Sequence, residues 1–160
     1  MKRIGIVEVD TRTELLVRVI FKAMPDAQVF LSIGSGETAQ RLAREYPCWT
    51  LDSHQAVVDE ADIIFTNTNR HALVELARCI RLRRTQTLIS LAAGIQLREL
   101  QQLFNHADCV RLLLATVNES GEPTAILTTV NEEIINLFSL SGPVSMISNE
   151  SDFNMIEMHQ

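Results

Sequence analysis

Lys2-Arg3-Ile4-Gly5-Ile6-Val7-Glu8-Val9-Asp10-Thr11-Arg12-Thr13-Glu14-Leu15-Leu16 is the stretch that decides the fold. Its first half is a short apolar run without polar alternation, the pattern of a strand covered on both faces, and reads as a strand over 2–9. Its second half changes period. Thr11-Arg12-Thr13-Glu14 has the spacing of a capping box, and Leu15, Leu16, Val19 and Ile20 recur at helical intervals until Pro25-Asp26. A strand that gives way to a helix within a few residues opens a βα unit.

The same rhythm repeats along the chain. A strand over 28–33 leads through Gly34-Ser35-Gly36 into a helix over 37–46, which Pro47 stops. A short strand over 48–51 precedes a helix over 53–60, with Ser53 placed to cap it. Strands follow over 62–66, 87–91 and 109–115, with helices over 71–80, capped by Asn69, and over 96–104. Beyond them come a polar turn at 118–123, an extended run over 124–130, a helix over 131–140 and a strand over 144–148. The tail, 149–160, shows no obvious core face. Alternating units of this length predict a single-domain α/β fold, a Rossmann-like, doubly wound and mostly parallel sheet with right-handed crossovers. Ligands in such sheets lie beyond the carboxyl ends of the strands.

Composition narrows the partners. The 160 residues are 46% apolar, enough for a core, and the net charge is −6. The small basic group Arg81-Leu82-Arg83-Arg84 reads as a solvated helix end, so nucleic acid is not expected as a partner. No apolar run has the roughly 18–20 residues of a membrane-spanning helix, and none is expected to enter a membrane. Cys48, Cys79 and Cys109 form no metal or redox spacing, which suits the cytoplasm and predicts no bound metal. His54, His71, His106 and His159 are scattered and read as surface residues.

Two turns matter for ligand binding. A dinucleotide fold needs glycine after its first strand, so that backbone N–H groups can approach the pyrophosphate. Here the positions are Glu8, Val9 and Asp10. A carboxylate about 4 Å from a phosphate costs about 4 kcal/mol at an effective dielectric near 20. Asp10 or Thr11 also reads as a simple helix cap. The second turn, Gly34-Ser35-Gly36-Glu37-Thr38-Ala39, matches G-x-G-x-x-A between a strand and a helix, with Asp52 near the offset of a ribose-binding acid. It reads either as a dinucleotide fingerprint or as a glycine turn capped by Ser35. In either form its hydroxyls and helix-start N–H groups could hold a phosphate, such as the 2′-phosphate of NADP.

Taken together, these pieces resemble the pyrroline-5-carboxylate reductase family. The most specific match is Ile89-Ser90-Leu91-Ala92-Ala93-Gly94-Ile95-Gln96-Leu97-Arg98-Glu99-Leu100, which is similar to the family's S-[IL]-A-A-G segment and following helix. Ala61-Asp62-Ile63-Ile64-Phe65 resembles the strand before its cofactor loop, and Val110-Arg111 stands where the family has V-R-x-M-P-N-T-P. The resemblance covers most of residues 1–150, the family's N-terminal NAD(P)-binding domain, with 151–160 at the start of its helical dimerisation domain. It implies NADP or NAD as cofactor, with contacts from Ser32, Gly34, Ser35, Gly36, Thr38, Asn67, Thr68, Ala92 and Ala93. It also implies a homodimer or another partner protein.

The departures are as informative. Glu8-Val9-Asp10 replaces the glycine-rich turn, Asn67-Thr68-Asn69-Arg70 replaces A-V-K-P, and only Thr116 survives of the M-P-N-T-P loop. No catalytic residue is assigned. The expectation is a degenerate relative with little or no reductase activity on its own, an interaction or regulatory module lacking the helical domain. The alternative is an NAD(P)-dependent oxidoreductase that binds cofactor through the second turn and completes its site with a partner chain or further domain.

Overall fold

The computed structural model describes residues 2–10, 13–32, 37–116, 123–129 and 131–158. The first βα unit is β1 (Arg3–Val7) and α1 (Thr13–Ala23). It is followed by β2 (Gln28–Ser32), α2 (Glu37–Glu45), β3 (Cys48–Leu51), α3 (His54–Glu60), β4 (Ile63–Thr66) and α4 (Arg70–Cys79). Then come β5 (Thr87–Ser90), α5 (Leu97–Leu103), β6 (Asp108–Thr116), β7 (Pro123–Leu127), α6 (Glu132–Ser139), β8 (Val144–Met146) and α7 (Glu150–Met158).

The strands form one sheet in the order β3-β2-β1-β4-β5-β6-β7-β8. All neighbours are parallel except β6 and β7. This is the Rossmann-like doubly wound arrangement, and its order reverses between β1 and β4. The parallel strands are apolar on both faces because helices cover both. Ile4 and Ile6 pack into one core, with α1 and α6, while Val7, Ile64 and Leu88 pack into the other, with α3, α4 and α5.

Local chemistry sets the helix ends. Ser53 accepts from the Ala56 N–H and Asn69 from the Ala72 N–H, so both caps fall where the sequence places them. Gly5 governs how closely α3 approaches the sheet. A Cβ there would stand 2.7 Å from Val57 Cγ1 and 3.0 Å from Ala61 Cβ, so only glycine lets α3 sit this low over β1.

Two readings need correction. The basic group at 81–84 is not a helix end, because α4 closes at Cys79. It belongs to the loop beyond, where Leu82 is buried and Arg81 and Arg83 bond Gln55 and Asp59. The tail does have a core face: it forms α7, and Phe153 is buried. No helix among the described residues is long and apolar enough to cross a membrane.

Candidate functional site

The crevice at the carboxyl ends of β1 and β4 is the place where a doubly wound sheet binds its ligands. Glu8 follows β1 directly. Its φ is +59°, which makes it the one described non-glycine residue with a left-handed backbone. An L side chain there costs about 1 kcal/mol, and a glycine would adopt it freely. The chain therefore keeps the bend of a glycine turn but fills it with a carboxylate.

That carboxylate is held in place. Glu8 Oε1 lies 3.2 Å from His54 Nε2, and His54 Nδ1 lies 2.8 Å from Ser32 Oγ. The three residues come from the end of β1, the end of β2 and the first position of α3. The low seat of α3 over Gly5 brings His54 within reach. Ser32 is almost wholly buried, with its hydroxyl against the ring. Glu8 and His54 are each about one third exposed, with side-chain accessibilities of 35% and 28%.

Asp10 sits at the head of α1. Its N–H donates to Thr13 Oγ1 at 3.0 Å, and its carbonyl accepts from the Thr13 N–H at 3.1 Å. The Thr13 side chain thus reaches back to the Asp10 N–H, one arm of a capping box, and its hydroxyl lies 3.5 Å from Asp10 Oδ1; Thr11 lies outside the described residues. On the far side of β1, Thr66 ends β4 in register with Val7. It is fully buried, and its hydroxyl has no hydrogen-bond partner among the described residues. It lines a water-sized niche with Ile6, Thr13, Phe65 and Asn67.

The strand order decides the status of the second turn. Read as the dinucleotide fingerprint, it would push the first βα unit to the sheet's edge. Instead β1 is central, flanked by β2 and β4, so that turn follows a strand one removed from the crossover point. Gly34, Ser35 and Gly36 lie outside the described residues; Thr38 is half-buried in the first turn of α2, and Asp52 is exposed beyond β3 near the rim. Ser32, Asn67 and Thr68 stand at the carboxyl edge of the sheet, as does Ala92, buried after β5, beside the exposed Ala93.

The loop after β5 is locked from two sides. Arg70 Nη2 donates to the Gly94 carbonyl at 3.0 Å and pairs with Glu99. From α7, Glu157 Oε1 accepts from the Gly94 N–H at 2.9 Å and Glu150 Oε2 from the Leu97 N–H at 3.0 Å. The same two carboxylates grip Arg111 of β6, at 3.0 and 2.9 Å. Arg111 is 1% exposed, bonds Asn154 Oδ1 at 2.7 Å and lies 4.4 Å over the Phe153 ring. Sequence reasoning missed both His54 and this cluster. The spacing Glu150, Phe153, Asn154, Glu157 is one helical stripe, but it mixes acid, amide and ring and so gives no apolar signal.

What this architecture defines is the class of Rossmann-like α/β domains. Within that class it shares its fold with solved pyrroline-5-carboxylate reductases and related reductases. The enzyme from Streptococcus pyogenes matches with a TM-score of 0.75 and 21% identity, over 95% of this chain and 60% of that one. Pyrroline carboxylate reductase from Plasmodium falciparum, solved with NADP bound, matches at 0.77 and 16%, over 95% and 59%. A reductive aminase from Aspergillus terreus, in complex with NADPH and ethyl levulinate, matches at 0.74 and 11%, over 99% and 60%. The chain thus spans about 60% of the length of these structures. No family model matches the sequence, and no curated protein sequence does.

The residues at the first turn do not fit a dinucleotide pyrophosphate. Glu8 occupies the glycine conformation with a charged side chain, and Asp10 adds a second acid at the helix head. Among the described residues no group of three or more His, Cys, Asp and Glu side chains could hold a metal ion.

Proposed function

We propose that this chain is a pyrroline-5-carboxylate reductase-like Rossmann domain with little or no reductase activity by itself, serving as an interaction or regulatory module in the cytoplasm. One observation carries the reading: Glu8 takes a left-handed turn conformation and His54 holds its carboxylate at the crevice. Two acids at the point where phosphates would approach oppose anion binding, and the hydride chemistry of such enzymes belongs to the bound cofactor. The test is titration with NADH and NADPH, together with an assay of pyrroline-5-carboxylate reduction. The native chain is expected to show no turnover above a heat-killed control. Glu8→Gly with Asp10→Gly is expected to raise NAD(P)H affinity at least about tenfold, or ~1.4 kcal/mol. Glu8→Gln with Asp10→Asn separates charge from bulk. If both variants stay folded and neither gains affinity, the turn is not the obstacle.

A second reading keeps the chain as an NAD(P)-dependent oxidoreductase completed by a partner chain or a further domain. The solved neighbours that carry NADP or NADPH on this fold favour it. For either reading we propose self-association or a partner protein, supported by Met155 and Met158 of α7, which are 59% and 79% exposed. Light scattering at micromolar concentration tests this, with a dimer expected.

A further inference from the structure

The basic loop at 81–84 plays no part at the crevice, yet it is firmly built. It enters β5 at the amino-terminal edge of the sheet, the edge opposite the crevice. Gln55 of α3 braces it from one side. The Arg81 N–H donates to Gln55 Oε1 at 2.7 Å, and Gln55 Nε2 donates to the Arg81 carbonyl at 3.3 Å. Gln86, 1% exposed, closes it from within. Its Oε1 accepts from the Arg83 N–H at 2.6 Å, and its Nε2 donates to the Val58 and Ala61 carbonyls at 2.7 and 2.9 Å. Leu82 is buried, while Arg81, Arg83 and Arg84 are exposed. Two glutamines thus satisfy the backbone, and the loop presents its arginines from a fixed frame.

These arginines contrast with the chain around them. The net charge is −6 and the 160 residues hold only 14 lysines and arginines, yet three of those stand within four positions. Among the described residues none of the three has a carboxylate partner; Glu75 is taken by Arg78. Arg83 turns back to the Asp59 carbonyl at 3.5 Å, which leaves the guanidinium groups of Arg81 and Arg84 to the solvent. Water satisfies an exposed arginine, so charge alone marks no site. The second observation is a groove of about 220 Å³ beside Arg81, where the ends of α4 and α5 part. Its floor is apolar: Ile80, Leu82 and Phe104 are buried and Leu103 is half-buried, with the exposed Arg81 and His106 at the rim. The Asp108 N–H donates to the Gln86 carbonyl at 3.1 Å and ties the loop before β6 to the loop before β5, so both walls share one frame.

From this juxtaposition we infer that the groove docks an acidic amphipathic segment of a partner protein, with an apolar side chain on the floor and carboxylates on Arg81 and Arg84. Arginine holds a carboxylate with two parallel N–H bonds, and an apolar anchor beside such a pair excludes water from it. Other anionic partners suit the groove less well. The overall charge repels a nucleic acid, and no exposed ring waits for a base, since Phe104 is 4% exposed. A membrane surface takes up exposed apolar side chains, and the large ones, Trp49, Leu140, Met146, Met155 and Met158, stand outside the groove. The inference rests on the reading of the chain as an interaction module and gives that module a surface. It holds the partner at the edge away from the crevice, so that partner and crevice ligand do not compete.

The test is fluorescence anisotropy and amide chemical shifts on the full chain with a labelled peptide of repeated Glu-Glu-Leu-Leu. Its controls are repeats of Gln-Gln-Leu-Leu, Glu-Glu-Ser-Ser and Lys-Lys-Leu-Leu. The acidic apolar peptide is expected to bind saturably, to shift the amides of 80–84 and 103–106, and to leave Glu8 and His54 unmoved. Each control should bind at least about tenfold more weakly, and added salt should weaken the acidic peptide. Arg81→Glu with Arg84→Glu, checked for folding by circular dichroism, should weaken it at least about tenfold. Lack of saturable binding, shifts confined to other parts of the chain, or a charge-reversed variant that binds as well as the native chain overturns the inference. So does tighter binding of a single-stranded RNA, or of vesicles of phosphatidylcholine with phosphatidylserine. Self-association that the charge reversal abolishes assigns the groove to a second copy and also overturns it. Reductase turnover by the native chain would instead overturn the function proposed above, while the peptide titration is read separately.

Discussion

Glu8 and Glu157 each hold a basic side chain, but they stand in opposite environments. Glu157 is 14% exposed and meets Arg111, which is 1% exposed and shares its charge with Glu150. The bonds from α7 in that cluster run to β6, to the loop after β5 and to the start of α5. Glu8 meets His54 where both are about one third exposed, on a backbone that an L residue adopts at a cost. The first cluster is closed and supports the fold. The second is open and faces the place where ligands bind. A carboxylate–base contact therefore says little about function until burial and backbone geometry are known.

Breaking the closed cluster should have the larger effect. Arg111→Leu leaves two carboxylates next to a buried position without their cation, and is expected to cost about 3–5 kcal/mol of stability in urea unfolding. A loss below about 1 kcal/mol would show that water already shields the cluster. Gly5→Ala comes next. Its new Cβ meets Val57 and Ala61, and lifting α3 is expected to cost about 1–3 kcal/mol. The same change should shift the amide signal of His54, since α3 carries it; an unmoved His54 would break the link between Gly5 and the open cluster.

Alkaline pH stresses positions outside both clusters. Burial pushes the Cys48 thiol from 9.0 up to about 12, and burial with the nearby Asp108 charge pushes Cys109 up to about 11. Unfolding releases both thiols to ionise near pH 9, so their contribution is complete below that value and is lost as the pH rises towards 11. Urea midpoints above about pH 9 should fall more steeply for the native chain than for a Cys48→Ala, Cys109→Ala variant. Equal slopes would mean that the thiols are solvated. The smallest effect is expected at the open cluster itself. Glu8→Gly relieves the left-handed strain, about 1 kcal/mol, but loses a contact that is about one third exposed and worth about 0–1 kcal/mol, and adds chain entropy. Its stability should stay within about 1 kcal/mol of the native value; a larger loss would make the open cluster structural as well.

Much of the fold was legible because its signals are local. Apolar runs such as Ile63–Thr66 mark covered strands, Ser53 and Asn69 announce helix starts, and alternation fixes the doubly wound class. The acids in the first turn were also legible, because glycine is what that turn ordinarily needs. The partner of Glu8 was not. His54 lies 46 positions away, and only the seat of α3 over Gly5 brings the two together. The docking of α7 was hidden for the same reason: its stripe is meaningful only opposite Arg111, 39 to 46 residues earlier.

The two rims of the sheet limit how the protein can associate. β3 has four residues and follows Pro47; β8 has three and follows Pro143. Proline offers no N–H to a neighbouring strand, and so short a rim gives an incoming strand little to pair with. Growth of the sheet from one molecule into the next is therefore discouraged at both ends. A partner must bind through side chains on helices or loops, and an extended peptide seeking to add a ninth strand would find neither rim prepared for it.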